Sequence, residues 1–238
     1  MSEPGASRLR PRGGLADKRR AVLAGALTVF ARDGYTRASI DAISAEAGVS
    51  TRTIYNHFHD KAQLFEIVIE ESTRQVAEAQ IAIIDRYLRK VTDLEADLIE
   101  FGQALATPLT DFGEHFALVR QIDAEAEHIP RAALDAWEEA GPRRVIRELG
   151  RRMRQLAEER LLSIDDPDRA AVHFMLLIQG SIPFHHGLGT TRQAEITEIV
   201  TAGVRVFLHG YGSFNPRGGT WPRMNNSRRS SMRTVPSA

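Results

Sequence analysis

Ser39 to Lys61 reads SIDAISAEAGVSTRTIYNHFHDK, and the spacing inside this stretch decides the fold. Ile40, Ile43 and Ala47 fall at the i, i+3, i+7 positions of a short amphipathic helix, with Ser39 placed to accept a first-turn N–H. Gly48 follows, a residue that enters a left-handed turn without a Cβ penalty. Val49 fills the gap between two helices, and Ser50 caps the second. In that second helix Ile54 and Phe58 lie one turn apart and face the core. At about 100° per residue, Arg52 and Asn56 then point away from it, flanked by Thr53 and Tyr55. This is a helix-turn-helix whose outward face suits the major groove. Arg forks onto a guanine edge, Asn onto adenine, and hydroxyls bind phosphate. An ordinary helical hairpin with a solvated polar face shares the local pattern.

The flanking residues extend the motif. GYTRASIDAISAE (residues 34–46) followed by AGVSTRTIYNHFHDKAQLF (residues 47–65) resembles the N-terminal signature of the TetR family of bacterial transcriptional regulators. The matching elements are Phe30, Gly34-Tyr35-Thr36, Ala47-Gly48-Val49-Ser50, Ile54-Tyr55, His57-Phe58 and Lys61. The likeness covers Asp17 to Leu64, about a fifth of the chain, and is specific as such patterns go. It implies an all-helical homodimer that binds a palindromic operator in double-stranded DNA and holds a small-molecule effector in its larger domain. Carried over by motif position, Arg52 and Asn56 contact bases. Thr51, Thr53, Tyr55, His57 and Lys61 make phosphate or mixed contacts, Thr36 and Ser39 reach phosphate from the preceding helix start, and Ser50 joins this DNA-binding set.

Outward from the motif, Val22, Leu23, Ala26, Leu27, Val29 and Phe30 make the apolar stripe of a first helix over 17–33, which Gly34 ends. Beyond it, Asp60 and Gln63 make a capping box for a helix that meets no Pro or Gly before Lys90. This helix links the DNA module to the body and is the natural part to move when an effector binds. The body then reads as helices over 94–105, 112–128, 130–139 and 143–162, the last laced with Arg and Glu for i,i+4 pairs. Asp166-Pro167 starts another, running to about His186, and Thr190 with Gln193 starts a last one. No strand-length alternation appears. The expected fold is all-α: an N-terminal three-helix DNA-binding domain with a helix-turn-helix (17–62), then a larger helical effector-binding and dimerisation domain (63–211). Residues 1–16 and 212–238, rich in Gly, Pro and Arg, read as disordered basic tails.

Two consecutive helices with wide apolar faces close the body, more than one small core needs, and pairing with their twofold copies would make a four-helix dimer interface. A dimer supplies two half-sites and enough phosphate contacts for useful affinity. Net charge is zero over 238 residues, but its distribution is not even. Residues 1–61 carry +4, 62–211 carry −9 and 212–238 carry +5. A basic reading end on an acidic body orients the molecule toward a polyanion.

The absence of cysteine removes disulfides, thiolate nucleophiles and cysteine zinc sites, and fits a reducing cytoplasm. No apolar run approaches the roughly 20 residues of a membrane span. His185-His186 point about 100° apart on a helix, His115, His128 and His173 are isolated, and no catalytic motif is present, so neither an enzyme, a metal nor a cofactor is expected. The competing reading is a helical interaction module with only non-specific nucleic-acid affinity. For the effector pocket that the family resemblance implies, the candidates are Phe101, Phe112, His115, Phe116, Trp137, Phe174, Met175, Gln179 and His185, each by itself better suited to plain core than to ligand contact.

Overall fold

The computed structural model describes residues 14–107, 110–179 and 193–212. Within them the chain forms α1 (Leu15–Arg37), α2 (Ile40–Glu46), α3 (Thr51–Tyr55), α4 (Lys61–Leu88) and α5 (Leu94–Ala106). A 3-10 turn at Thr110–Phe112 leads into α6 (Gly113–Glu125), followed by α7 (Arg131–Ala140), α8 (Pro142–Glu158), α9 (Pro167–Gln179) and α10 (Gln193–Tyr211). Among the described residues the only β-type pairing is an isolated antiparallel bridge between Leu162 and Gly212. No described helix is long and apolar enough to cross a membrane. Both expected tails, apart from the residues at 14–16 and Gly212, lie outside the described residues, as do His185 and Thr190.

Local chemistry sets the helix ends. Ser39, Ser50, Asp60 and Asp93 each cap the helix that follows by accepting an N–H from three residues on. At α4 the box is offset: Asp60 accepts from Gln63 N at 2.8 Å, while Gln63 Oε1 takes the N–H of His59 at 2.7 Å. At the start of α9, Asp166 Oδ1 accepts from Arg169 N at 3.0 Å, with Pro167 as the first helical residue. Among the described residues, three helix ends differ by three residues or more from the sequence reading. The first helix breaks at Gly34 (φ 77°, ψ 175°), then resumes for one turn to Arg37. The sixth helix stops at Glu125 rather than 128. The helix expected to reach Leu162 ends at Glu158, where Arg160 takes a left-handed conformation (φ 61°) and the Leu161 N–H returns to Leu156 O at 2.9 Å. The left-handed residue that allows this six-to-one bond is usually glycine, and here it is Arg160.

Two apolar cores organise the molecule. The first gathers α1, α2 and α3 around Phe30, Ile43, Ile54 and Phe58, and also takes Leu64, Phe65, Val68 and Ile69 from α4, Leu118 and Ile122 from α6, and Ala133 from α7. Phe30 and Phe65 meet edge-to-face at 4.9 Å within it. The second lies among the C-terminal half of α4 and helices α5, α8, α9 and α10, with Phe101 stacked on Phe174 at 5.4 Å and Phe174 edge-on to Phe207 at 5.1 Å. Helix α4 runs through both. Ser72 and Thr73 are buried on it between the two sets.

The Arg/Glu lacing of α8 includes the expected i,i+4 pairing, between Arg152 and Glu148, but most of its arginines reach other helices. Arg143 and Arg147 reach Glu138 and Glu139 of α7, Arg144 reaches Glu78 of α4, and Arg152 reaches Asp85 of α4. Within α8, Arg151 pairs with Glu148 three residues back, and Arg152 stands 3.8 Å from the same carboxylate. Packing against α4 and α7 brings foreign carboxylates within reach, so these arginines tie helices together.

Candidate nucleic-acid interface

The turn between α2 and α3 is built by Gly48 at φ 63°. Its N–H bonds Ala45 O at 3.3 Å and the next N–H, of Val49, reaches back to Ser44 O at 3.0 Å, which satisfies the last carbonyls of α2. Ser50 Oγ then accepts from Thr53 N at 3.2 Å and shares a hydrogen with Thr53 Oγ1 at 2.9 Å. Although α3 is assigned only Thr51–Tyr55, Phe58 N still bonds Ile54 O at 2.9 Å, so helical turns continue under Asn56. Ile54 and Phe58 are buried as the spacing requires, which fixes the opposite face outward.

On that outward face Arg52, Tyr55 and Asn56 are exposed, Tyr55 to 57%. None of the three side chains has a hydrogen-bond or ionic partner among the described residues. A guanidinium, a carboxamide and a phenol thus stand side by side with their polar atoms unengaged, the donor and acceptor set that reads base edges. Ser39 Oγ accepts from Ala42 N at 3.1 Å and keeps its own hydrogen for another acceptor. Thr51 is half-buried at the start of α3.

Three residues of the expected DNA-binding set are placed otherwise. The Lys61 ammonium donates to Tyr35 O at 2.8 Å and Ala38 O at 3.0 Å, lies 3.4 Å from Thr36 O, and sits 4.6 Å from the centre of the Tyr35 ring. An ammonium has three hydrogens, and these carbonyls use them. Thr36 gives both its N–H (2.8 Å) and its hydroxyl (3.0 Å) to Glu125 Oε2 of α6. Burial pushes the Glu125 carboxyl up, but the Thr36 bonds and nearby Arg37 outweigh it and hold the group below the usual carboxylate range. His57 is half-buried, with Nε2 buried and without a partner among the described residues. The sequence reading missed Glu125, which sits 89 positions from the threonine it binds. It also missed Glu114, whose Oε1 takes the Thr28 hydroxyl at 2.8 Å.

In the body a cavity of about 290 Å³ lies where α4, α6, α7, α8 and α9 meet. Of the candidates, His115, Phe116, Trp137 and Met175 line it. Phe101 and Phe174 do not: they are fully buried in the second core. Phe112 caps α6 half-buried and away from the lining. The Gln179 side chain and His185 lie outside the described residues. The walls that sequence reading missed include Thr73, Val76 and Gln80 of α4, together with Val145 and Ile146 of α8. A signal for the first was present: Ser72-Thr73 interrupts an otherwise apolar buried stripe on α4. His115 Nδ1 pairs with Ser72 Oγ at 2.9 Å, and burial pushes the imidazole down to about 4, leaving it neutral at pH 7.

A glycine-turned helix pair with a bare polar reading face, set on an all-helical body, defines a helix-turn-helix regulatory protein. Residues 22–68 match the model of bacterial regulatory proteins of the tetR family, and residues 96–213 match that of the AefR-like transcriptional repressor C-terminal domain. The chain belongs to the TetR family. It is 38% identical over 63 residues to an HTH-type transcriptional repressor of Mycobacterium tuberculosis, 26% of this chain and 34% of that one. Three uncharacterised mycobacterial HTH-type regulators match at 28% over 109 residues. The chain thus spans about a third to a half of the length of the curated relatives it matches. Among solved structures, one from Mesorhizobium loti MAFF303099, described as a TetR-family transcriptional regulator, superposes with a TM-score of 0.75 at 28% identity, covering 84% of this chain and 100% of that one. The flavonoid-responsive regulator FrrA superposes with a TM-score of 0.60 at 29% identity, covering 85% and 100%.

Proposed function

We propose that this chain is a homodimeric repressor that occupies a palindromic operator and is released from it by a small-molecule effector. The unengaged face of Arg52, Tyr55 and Asn56 on α3 carries the reading. Arg52 and Asn56 contact bases in the major groove, and Ser39, Ser50, Thr51, Thr53 and Tyr55 hold the phosphates beside them. In this reading residues 17–62 are the DNA-reading unit and residues 63–211 the effector-binding and dimerisation unit, working in the bacterial cytoplasm where the operator is. Lys61 acts on DNA indirectly, by holding α4 to the carbonyls between α1 and α2.

Supporting the dimer, Val172 (39%), Leu176 (61%) and Val206 (59%) are large apolar side chains left exposed on α9 and α10. Leu176 and Val206 line an apolar groove of about 380 Å³ that reaches Phe207 and Tyr211. A second copy laid on this face by twofold symmetry would bury these side chains and set two reading helices toward successive turns of the groove. Supporting the effector, the body holds a mostly apolar cavity with a few polar groups. FrrA is by name flavonoid-responsive, and only the responsiveness is carried over.

The test is selection of the purified protein on a random duplex library at two salt concentrations. An enriched palindrome with half-sites about one helical turn apart or more is the expected result. Retention that is salt-sensitive and blind to sequence would overturn the operator reading in favour of an interaction module with non-specific nucleic-acid affinity.

A further inference from the structure

The cavity beside α4 has a wall chemistry that selects its occupant. Among the described residues, no Asp, Glu, Lys or Arg lines it. A charged ligand entering a mainly apolar wall would lose its hydration and meet no counter-charge, which is costly. Of the polar side chains that line it, Trp137 only donates, whereas Thr73, Gln80 and His115 can each both donate and accept. Thr73 is 3% exposed, and its Oγ1 has no hydrogen-bond partner among the described residues. Gln80 brings a carboxamide. His115, neutral and held through Nδ1 by Ser72, offers Nε2 as acceptor or donor according to which partner supplies the hydrogen of the Ser72 bond. Phe116 and Trp137 add aromatic surface, and the volume of about 290 Å³ stands at the low end for ligand sites.

We propose that the cavity binds an uncharged aromatic compound of about two fused rings that carries a hydroxyl group. The proposal rests on the reading that the body takes an effector, and names the class of that effector. A hydroxyl both donates and accepts, as Thr73, Gln80 and His115 do, and satisfies Thr73 Oγ1 without bringing charge into the wall. The ring system lies against Phe116 and Trp137, with Val145, Ile146 and Met175 closing the apolar side.

A series sharing one ring system tests this on the whole 238-residue chain: calorimetric titration with 2-naphthol, 2-naphthoate, 2-naphthylmethylammonium and naphthalene. The expected order places 2-naphthol first, with the two ions weaker by about ten-fold or more. Thr73→Val keeps the shape of the side chain and removes its oxygen; it lowers 2-naphthol affinity by about three- to ten-fold and leaves naphthalene unchanged. Val119→Trp fills the cavity and abolishes 2-naphthol binding. Tighter binding of either ion, equal binding of all four probes, no binding of 2-naphthol, or its survival in Val119→Trp would each overturn the proposal. Adding 2-naphthol to the complex with the selected operator separates the two readings. Binding without release leaves the ligand class standing and removes the effector role. Release by a charged probe alone keeps the effector role and removes the class.

Discussion

Arg52 and Lys61 lie nine positions apart and are both basic, yet the structure puts them to opposite uses. Arg52 is exposed and unengaged, so Arg52→Ala leaves folding intact while operator affinity drops by about 1–3 kcal/mol and selectivity relaxes at one base position, measured by competition between single-base operator variants. Unchanged selectivity would show that another face of α3 reads the bases. Lys61 spends its ammonium on carbonyls of its own chain. Lys61→Met therefore lowers stability in urea by about 1–2 kcal/mol and leaves the salt dependence of DNA binding unaltered, whereas loss of a phosphate contact would flatten the slope by about one. His115 sets a pH window. Its folded-state value of about 4 lies below the ordinary 6.5, so the unfolded chain binds more protons between those values and stability is lost as pH falls through that range. Between pH 7 and pH 5 that loss amounts to about 2 kcal/mol, and the drop shrinks by this much in His115→Phe.

At the scale of elements, much was legible because the deciding forces act within four residues. The Gly48 turn, the Ser39, Ser50, Asp60 and Asp166 caps and the break at Gly34 all stand where the sequence placed them. A Cβ at Gly48 would meet nothing within 4 Å, so its requirement is conformational alone. Gly48→Ala costs about 1 kcal/mol in thermal unfolding and Gly48→Asn costs less, because Asn tolerates the left-handed region. Equal costs would mean that a steric conflict decides. What was not legible depends on partners far off in sequence. Nothing near Thr36 announces Glu125, nothing near Lys61 announces three carbonyls on another helix end, and Phe101 carries the same local signature as Phe116 although only the latter lines the cavity. Arg143, Arg144, Arg147 and Arg152 of α8 show the same limit, since they reach carboxylates of α4 and α7.

For the whole molecule, the proposed dimer through the exposed side chains of Val172, Leu176 and Val206 would make operator affinity a property of two chains. Leu176→Arg places a charge in that face; it should yield a monomer in sedimentation at micromolar concentration and weaken operator binding by about a hundred-fold or more, since one reading head loses the second half-site. A dimer that survives the change would move the interface elsewhere.

The head's core takes Leu64, Phe65, Val68 and Ile69 from the first turns of α4, and leans on Leu118 and Ile122 of α6 and Ala133 of α7. The reading head is therefore not a detachable cassette. A fragment cut after residue 62 leaves Phe30, Ile43 and Ile54 facing water where those side chains stood. A chimera meant to carry this specificity into another regulator has to transplant the opening of α4 and match the α6 surface that receives Thr28 and Thr36. On the proposed function, target choice and signal reception are inherited together in this chain, and a new operator preference would have to be acquired on the outer face of α3 with everything beneath it held still.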